Sequence, residues 1–471
     1  GDVYKRQEIL RANITPEVLG KLKKNKIILE STSQKQVKGR YSIVAFESYG
    51  SVVLNNDLLT IKTKKQNIEI TEKSYEYLKD YINQFNIQIT DEKLKHLPFV
   101  SGFIGTCSFD LIRHEFPMLK QQSIQEIKDS NDIEFHMIED VYVFDHYKDE
   151  LYVIATNQFS EVEQKDLEER VKNRVKALSQ IKAYTDDYIH PPTPSNIMPN
   201  VSDDEFINTI KQLKELIKEG DMFQVVPSRI YSYNHYFKNN TLQLSYQLYQ
   251  NLKRRNPSPY MYYINMTTQI IIGSSPESFV AVQDGTVITN PIAGTIKRGK
   301  TIKEDKQNAE QLLSDEKELS EHRMLVDLGR NDIHRVSRTG SSKITKLMKI
   351  EKYEHVMHIV SEVRGEIKRE LSPMTVIANL LPTGTVSGAP KLRAIRRIYE
   401  TYPYKRGLYS GGVGYINCNQ NLDFALAIRT MLIDDTTVKV EAGCGVVYDS
   451  VPEKELEETL LKAKSLLEVT P

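Results

Sequence analysis

The chain has 471 residues, with 63 Lys and Arg, 63 Asp and Glu, 39% hydrophobic and 27% charged residues. This length is expected to form one large domain or two ordinary ones, and the balanced charge argues against nucleic acid or an anionic membrane as a partner. No apolar segment reaches the roughly 18 residues that span a bilayer. The three cysteines, Cys107, Cys418 and Cys444, are too dispersed for a metal site. We therefore expect a cytoplasmic protein with buried, reduced thiols.

Patterns in the first part of the chain predict strands with helices between them. In chain order they are a helix running into a strand (17–30), strands (41–63), a helix (72–87), a strand turning into a helix (99–116), a hairpin (141–156) and a charged helix (about 160–182). The proline-rich stretch within 183–200 has no period and is predicted to be a linker. We therefore place a domain boundary near residue 190.

Beyond this boundary, strands alternate with helices. Ser202 to Glu205 form a capping-box pattern that predicts a helix start. The predicted helices are 203–219, 241–255, 304–329, 352–368, 373–380, 390–401 and 453–468, and the clearest strands are 225–233, 261–266, 269–275 and 278–290. Many strands joined by tight turns and mixed with helices indicate an α+β fold rather than a strict βαβ repeat.

Two of the predicted helices each carry a pair of carboxylates at a three-residue spacing. Glu318 and Glu321 lie in the segment 316–332, and Glu455 and Glu458 lie near the end of the chain. Side chains three apart project from one face of a helix. Each pair could be a solvated acidic face, or the two pairs could meet around one Mg²⁺ ion, which prefers oxygen ligands. The spacing alone leaves both interpretations open.

A series of sequence words runs through the second part of the chain. The words are GDMFQVVPSRI (220–230), NPSPYMYY (256–263), IIGSSPESFV (271–280), PIAGT (291–295), EHRMLVDLGRND (321–332), HVMHIVSEVRG (355–365), TGTVSGAPK (383–391), GGVGY (411–415), DFALAIRT (423–430), AGCGVV (442–447) and PEKELEET (452–459). FVSGFIGTCSFDLIRHE (99–115) extends the series towards the N-terminus. These words run in family order and resemble the chorismate-utilising enzyme family, and within it the anthranilate synthase branch.

This resemblance implies an α+β fold with large mixed or antiparallel sheets, packed in a sandwich and flanked by helices. Residues 1–190 would form an N-terminal region with tryptophan-binding elements, and residues 200–468 a chorismate-binding catalytic domain. The implied reaction converts chorismate and ammonia to anthranilate and pyruvate, the first committed step of tryptophan biosynthesis.

The resemblance also implies a set of ligand-binding residues. Mg²⁺ would join the ring carboxylate of chorismate to Glu321 and Glu458, with Glu318 and Glu455 close by. Arg429 would bind the pyruvyl carboxylate, since its planar guanidinium suits two oxygens. The other implied substrate-binding residues are Gly294, Thr295, Thr385, Tyr409, Gly443, Gly445 and Lys462. Lys462 is equally well explained as a surface lysine on the last helix.

Two residues resemble the catalytic groups of the family. Glu277 resembles the general acid that protonates the departing ring hydroxyl, a role that requires a raised pKa. His358 resembles the histidine that assists loss of pyruvate and aromatisation of the ring. His355 is the alternative, and either histidine could instead be structural. We prefer His358, because it lies in the matching word.

Two positions distinguish the branches of the family. Water-using members place a lysine where Gln224 stands here, and a glutamine side chain cannot accept a proton from water. Aminodeoxychorismate synthases typically place a nucleophilic lysine where Ala293 stands, and alanine offers no amine. Both positions favour direct attack by ammonia. The resemblance implies that a separate glutamine amidotransferase subunit supplies it.

Six residues resemble a tryptophan feedback pocket: Glu30, Ser31, Arg40, Pro259, Tyr260 and Met261. Glu30 would pair with the amino group of tryptophan, and the last three would line the indole. The alternative is that the segment containing Pro259 is simply a turn into a strand. For the whole chain, the alternatives are aminodeoxychorismate synthase component I and a non-catalytic, tryptophan-sensing relative.

Overall fold

The computed structural model describes residues 5–11, 13–30, 39–125, 130–181, 190–194, 196–353 and 355–469. The strands in these ranges are β1 (Lys5–Arg11), β2 (Ile27–Glu30), β3 (Tyr41–Ala45), β4 (Gly50–Asn55), β5 (Leu58–Thr63), β6 (Asn67–Ile70), β7 (Gly102–Cys107), β8 (Ile133–Ile138), β9 (Asp140–Asp145), β10 (Glu150–Thr156), β11 (Met198–Pro199), β12 (Gln224–Val225), β13 (Ser228–Asn234), β14 (Tyr260–Asn265), β15 (Ile270–Ser275), β16 (Ser278–Gln283), β17 (Thr286–Thr289), β18 (Ile292–Lys297), β19 (Lys343–Lys352), β20 (Val356–Glu366), β21 (Gly388–Ala389), β22 (Gly412–Asn417), β23 (Leu422–Leu426), β24 (Thr430–Ile433) and β25 (Thr437–Gly443).

The α-helices in the same ranges are α1 (Pro16–Gly20), α2 (Ser74–Asn83), α3 (Ile112–Glu115), α4 (Pro117–Lys120), α5 (Gln164–Ser179), α6 (Asp203–Lys218), α7 (Thr241–Arg255), α8 (Ile302–Ser314), α9 (Glu316–Val336), α10 (Pro373–Leu380), α11 (Lys391–Thr401) and α12 (Pro452–Leu467). None of these helices is long and apolar enough to cross a membrane.

Two large antiparallel sheets organise the molecule. The first has the strand order β1-β10-β9-β3-β2-β14-β15-β24-β25-β13-β11. The second has the order β18-β20-β17-β16-β23-β22-β7-β8-β4-β5-β6, with β19 pairing with β20. Strands from before and after residue 190 occur in both sheets, so the regions 1–190 and 200–468 share them. A small third sheet pairs β12 with β21.

The two large sheets pack face to face, with helices on their outer faces. Between them, Ile43 and Ile271 from the first sheet share one apolar cluster with Ile104 and Val413 from the second. Helices α5, α7 and α12 cover the outside of the first sheet, and α2, α9 and α10 cover the outside of the second. The predicted α+β sandwich flanked by helices is confirmed.

Two of the predicted helices are corrected by the structure. The helix predicted for 352–368 is wrong, because these residues form β20, which pairs with β17, β18 and β19. Its Val and Ile residues are β-branched and favour a strand. The single helix predicted for 304–329 is two helices. Asp315 separates them, and its side chain caps α9 by accepting hydrogen bonds from the backbone of Lys317 and Glu318 at 3.0 and 3.2 Å.

Several local predictions are confirmed. Ser202 and Glu205 form the capping box at the start of α6. The hairpin predicted for 141–156 is the pair β9–β10. The segment 316–332 lies within α9, and the second carboxylate pair lies on α12.

Candidate active site

Glu277 is a buried carboxyl group in the short connection between β15 and β16. Its side chain is 7% exposed, and it accepts a hydrogen bond of 3.1 Å from the hydroxyl of Thr385. Burial raises the pKa of Glu277 to about 8, although the Thr385 hydrogen bond acts in the opposite direction. The backbone carbonyl of Glu277 accepts a hydrogen bond from Leu426 N at 2.9 Å. Glu277 therefore holds its proton at neutral pH in a fixed position.

His358 lies on β20 beside the irregular part of β18. Its Nδ1 atom is 3.0 Å from the carbonyl oxygen of Gly294 and 3.1 Å from the hydroxyl of Thr295. A carbonyl only accepts, so Nδ1 carries the hydrogen and Nε2 is unprotonated in the neutral ring. Burial lowers the pKa of His358, and the positive charge of Arg429 acts in the same direction. The alternative, His355, has an exposed side chain and precedes β20.

Gly294 brings the β18 backbone against the first carboxylate pair. The strand is irregular between Ala293 and Thr295, and Gly294 has a φ of +75°, which L side chains rarely adopt. A Cβ atom at this position would lie 3.3 Å from Oε2 of Glu318. The bulge therefore places His358 and its partners Gly294 and Thr295 beside the carboxylates of α9.

The carboxylate pairs of α9 and α12 interact electrostatically. Burial raises the pKa of Glu318 and of Glu321, and the negative charge of Glu458 adds to both shifts. Burial also raises the pKa of Glu455, and Glu458 again contributes. The two pairs that the sequence places far apart thus belong to one acidic cluster.

This cluster fits a magnesium ion that keeps part of its hydration shell. Among the described residues, no three His, Cys, Asp or Glu side chains come close enough together to hold an ion by themselves. Mg²⁺ is usually bound through one or two carboxylates, with waters and substrate oxygens completing its shell. Burial and mutual repulsion disfavour the charged forms of Glu318, Glu321 and Glu455 and raise their pKa values, and a divalent cation would offset that repulsion.

Tyr409, Gly443 and Lys462 form the side of the site next to Glu458. An added Cβ at Gly443 would lie 2.5 Å from the hydroxyl of Tyr409. The Lys462 ammonium donates to the carbonyl of Gly443 at 3.2 Å and lies 2.9 Å from Oε1 of Glu458. Lys462 is therefore in contact with two of the predicted site residues, as well as being partly exposed.

Gln224 and Gly445 adjoin this side of the site. Gln224 starts β12, and an added Cβ at Gly445 would lie 2.6 Å from its Nε2 atom. Glycine is thus needed at 445 for the side-chain amide of Gln224 to keep its place. Arg429 follows β23, with a φ of +48°, and its carbonyl accepts a hydrogen bond from Ser274 N at 3.1 Å.

Five of the six residues predicted to bind tryptophan line one separate cavity of about 170 Å³. Glu30, Arg40, Pro259, Tyr260 and Met261 all line it, because β2 pairs with β14 and sets Met261 opposite Glu30. The sixth predicted residue, Ser31, lies outside the described residues.

Glu30 and Arg40, the two charged residues predicted to bind tryptophan, already have partners in this cavity. Glu30 is bound by Lys253 Nζ at 2.9 Å and by the hydroxyl of Tyr249. The guanidinium of Arg40 donates two hydrogen bonds to Asp145, at 3.1 and 3.0 Å. An ammonium group entering the cavity would therefore share Glu30 with Lys253.

Sequence reasoning missed some contributors to these sites. Tyr353 packs edge-on against the His358 ring, with 5.2 Å between the centroids. Asp423 lines the cavity around Glu30, and burial raises its pKa to about 7. Arg406 stacks over Tyr409. Asp423 begins the word DFALAIRT (423–430), and Arg406 lies three residues before the predicted site residue Tyr409, so both had a sequence signal. A larger groove of about 870 Å³ adjoins the cavity around Glu30, with which it shares Tyr41, Pro98, Tyr415 and Asp423.

Comparisons with known proteins agree with this geometry. The family model described as chorismate binding enzyme matches residues 24–468. Anthranilate synthase component 1 of Lactococcus lactis is 42% identical over 98% of this chain and 99% of that protein. Aminodeoxychorismate synthase component 1 of Bacillus subtilis is 36% identical over 95% of this chain and 92% of that protein.

A solved structure is similar over nearly the same length. The crystal structure of anthranilate synthase component I from Streptococcus pneumoniae matches with a TM-score of 0.80 and 37% identity, over 93% of this chain and 94% of that chain. With a family match over residues 24–468 and the predicted sandwich in place, this chain belongs to the chorismate-binding enzyme family.

Proposed function

We propose that this chain is the chorismate-converting subunit of an anthranilate synthase. The reaction consumes chorismate and ammonia and releases anthranilate, pyruvate and water. The observation that carries the proposal is the buried acid Glu277 in a site where Gln224 and Ala293 occupy the two branch-deciding positions. The near-full-length similarity to anthranilate synthase component 1 of Lactococcus lactis supports the same reaction.

Glu277 supplies the proton for the departing ring hydroxyl. A general acid works best when its pKa lies near the working pH, and the pKa of Glu277 is about 8. The Thr385 hydroxyl orients the carboxyl group by donating to one of its oxygens. This leaves the second oxygen to carry the acidic proton towards the substrate.

His358 and Arg429 act in the second part of the reaction, in which pyruvate is lost. The exposed guanidinium of Arg429 suits a substrate carboxylate, which it can bind through two parallel hydrogen bonds. His358 is neutral because its pKa is lowered, and its Nε2 atom is the basic one. It can accept the ring proton as pyruvate leaves and the ring becomes aromatic.

Glu321 and Glu458 would hold a magnesium ion, with Glu318 and Glu455 in support. When bound, the ion would neutralise the ring carboxylate and withdraw electrons from the ring as a Lewis acid. The carboxylates would fix the position of the ion, because they lie on two helices that pack against the sheets.

Ammonia is the nucleophile that the site favours. Gln224 cannot deprotonate water, and Ala293 cannot form a covalent intermediate through an amine. We infer that a glutamine amidotransferase subunit delivers the ammonia, as the name component 1 of the relatives implies a further component. Free ammonium should support the activity of this chain in the absence of a partner subunit.

The cavity around Glu30 is our proposed site of feedback inhibition by tryptophan. Its wall is mainly aromatic and aliphatic, as an indole requires. Glu30 provides the one carboxylate for the amino group among the six predicted residues.

The product of the reaction tests the proposed function. Purified chain, chorismate, Mg²⁺ and ammonium should yield anthranilate and pyruvate in equal amounts, identified by fluorescence and chromatography. A para-substituted aminodeoxychorismate product would instead support the aminodeoxychorismate synthase alternative. Isochorismate would show that water is the nucleophile, and no consumption of chorismate would support a non-catalytic relative.

The general acid predicts a pH dependence. Because burial raises the pKa of Glu277 to about 8, the acid is protonated at pH 7 and turnover should fall as the pH rises through about 8. Glu277→Gln should lower turnover by about 10²- to 10⁴-fold, while chorismate still binds in a calorimetric titration. Near-normal turnover of this variant would remove Glu277 from the role of acid.

The proposed magnesium site predicts that one glutamate of α9 controls the Mg²⁺ dependence of activity and that another does not. Glu321→Gln should raise the Mg²⁺ concentration for half-maximal activity by about tenfold or more, since second carboxylate ligands contribute strongly to affinity. Glu316→Gln, on the same helix but exposed, is the matched control and should behave as wild type. If both variants keep the wild-type Mg²⁺ dependence, Glu321 is not a ligand.

The inhibitor cavity predicts which carboxylate matters for regulation. Glu30→Gln should raise the tryptophan concentration for half-inhibition by about tenfold or more, because a charged partner of the amino group is lost. Each variant is compared with its own uninhibited rate. Glu17→Gln is the control, since Glu17 also binds Lys253 but does not line the cavity. Equal inhibition of all three proteins would rule out Glu30 as the amino-group ligand.

A further inference from the structure

Arg406 lies between α11 and β22 and joins three separate segments of the site. Its Nη1 atom donates a hydrogen bond of 2.9 Å to the carbonyl of Val386. Its Nη2 atom donates to the carbonyl of Val226 and, at 3.1 Å, to the hydroxyl of Ser228. The guanidinium also lies 5.0 Å from the centre of the Tyr409 ring.

Two of these contacts, those to Val386 and Val226, lie within two residues of a residue that the chemistry needs. Val386 follows Thr385, whose hydroxyl binds the acid Glu277. Val226 ends the short segment that begins with Gln224, on the side where the nucleophile is selected. One planar group therefore fixes the acid side, the nucleophile side and the Tyr409 ring relative to each other.

The backbone of Arg406 is itself anchored in the core. The N–H groups of Arg406 and Gly407 donate to the two oxygens of Asp110, at 3.1 and 2.8 Å. Asp110 is 1% exposed and also accepts a hydrogen bond of 2.6 Å from the hydroxyl of Tyr399. The guanidinium therefore extends from a rigid base.

We propose that Arg406 is a positioning residue that holds Thr385 on the general acid and keeps the Gln224 segment in register with it. The proposal rests on the proposed function. Arginine is required for this role because its guanidinium presents donors in a fixed fork, whereas the lysine ammonium is a compact charge on a flexible stem. Arg406 does not itself contact the predicted acid.

The surroundings of Glu277 predict the direction in which its pKa shifts when Arg406 no longer fulfils this role. Thr385 donates a hydrogen bond to Glu277, and the phenol of Tyr353 is close enough for its own pKa to respond to the Glu277 charge. The Thr385 bond lowers the pKa of Glu277 against the effect of burial. Losing that bond therefore raises the pKa of Glu277. The alkaline limb of the pH profile, the range in which turnover falls as the pH rises, then moves to higher pH.

The test compares Arg406→Lys and Thr385→Val with their double variant. Arg406→Lys should lower turnover about tenfold or more and shift the alkaline limb upward, as Thr385→Val does. The double variant should shift it no further than the larger single shift, because both changes break the same contact. The limb is measured on whichever chorismate-consuming reaction the wild type catalyses, so product identity tests the proposed function separately.

Arg113→Lys is the matched control. Arg113 also donates to two backbone carbonyls, of Lys120 and Gln122 at 3.2 and 2.9 Å, and lies over an aromatic ring, that of Tyr399. It contacts no predicted site residue, so its substitution should leave the limb in place. If Arg406→Lys lowers the unfolding temperature but leaves the limb at the wild-type pH, Arg406 is only structural and the inference is overturned.

Methylguanidinium gives a second readout that does not depend on the lysine variant. Arg406 lines a cavity of about 190 Å³, so the small cation can enter the space vacated in Arg406→Ala. Added methylguanidinium should return part of the lost turnover and move the limb back towards the wild-type pH. Recovery of turnover without movement of the limb would contradict the positioning role.

Discussion

Repulsion between the carboxylates of two helices is the constraint on which the site depends. Glu318 and Glu321 extend from α9, while Glu455 and Glu458 extend from α12, and their charges act on one another. Isolated helices would turn such faces to water. Here each helix is fixed by its apolar face, α9 on the second sheet and α12 on the first. Core packing therefore holds together charges that would otherwise separate.

The sequence was informative where chemistry and local spacing coincide. The three-residue spacing of Glu318 and Glu321 correctly predicted a shared helical face, and family words marked Glu277 and His358 before their surroundings were known. The helix predicted across β20 failed because a strand at the centre of three partners is defined by pairing, which the local pattern does not contain. Asp315 also ended α8 and capped α9, a break that helix propensity alone could not reveal.

Contacts between distant segments were beyond the reach of the sequence. Lys253 binds Glu30 from a helix more than two hundred residues away, and Arg406 reaches the carbonyl of Val226 across a similar separation. A carbonyl acceptor has no residue signature, since every residue carries one. The cavity around Glu30 and the carboxyl group of Glu277 are also connected through the sheets. Residues of β23 line the cavity, and its last residue donates to the Glu277 carbonyl.

The sharing of both sheets by the two halves of the chain has a consequence for biosynthesis. Ile27 of β2 pairs with Ile264 of β14, and Gly105 of β7 pairs with Gly414 of β22. At translation rates of about 5–20 residues per second, the early strands wait roughly 10 to 60 seconds for these partners to be synthesised. During that time their edges are unpaired and open to wrong partners. The architecture that assembles this site therefore leaves these strand edges exposed in the nascent chain until the later strands emerge.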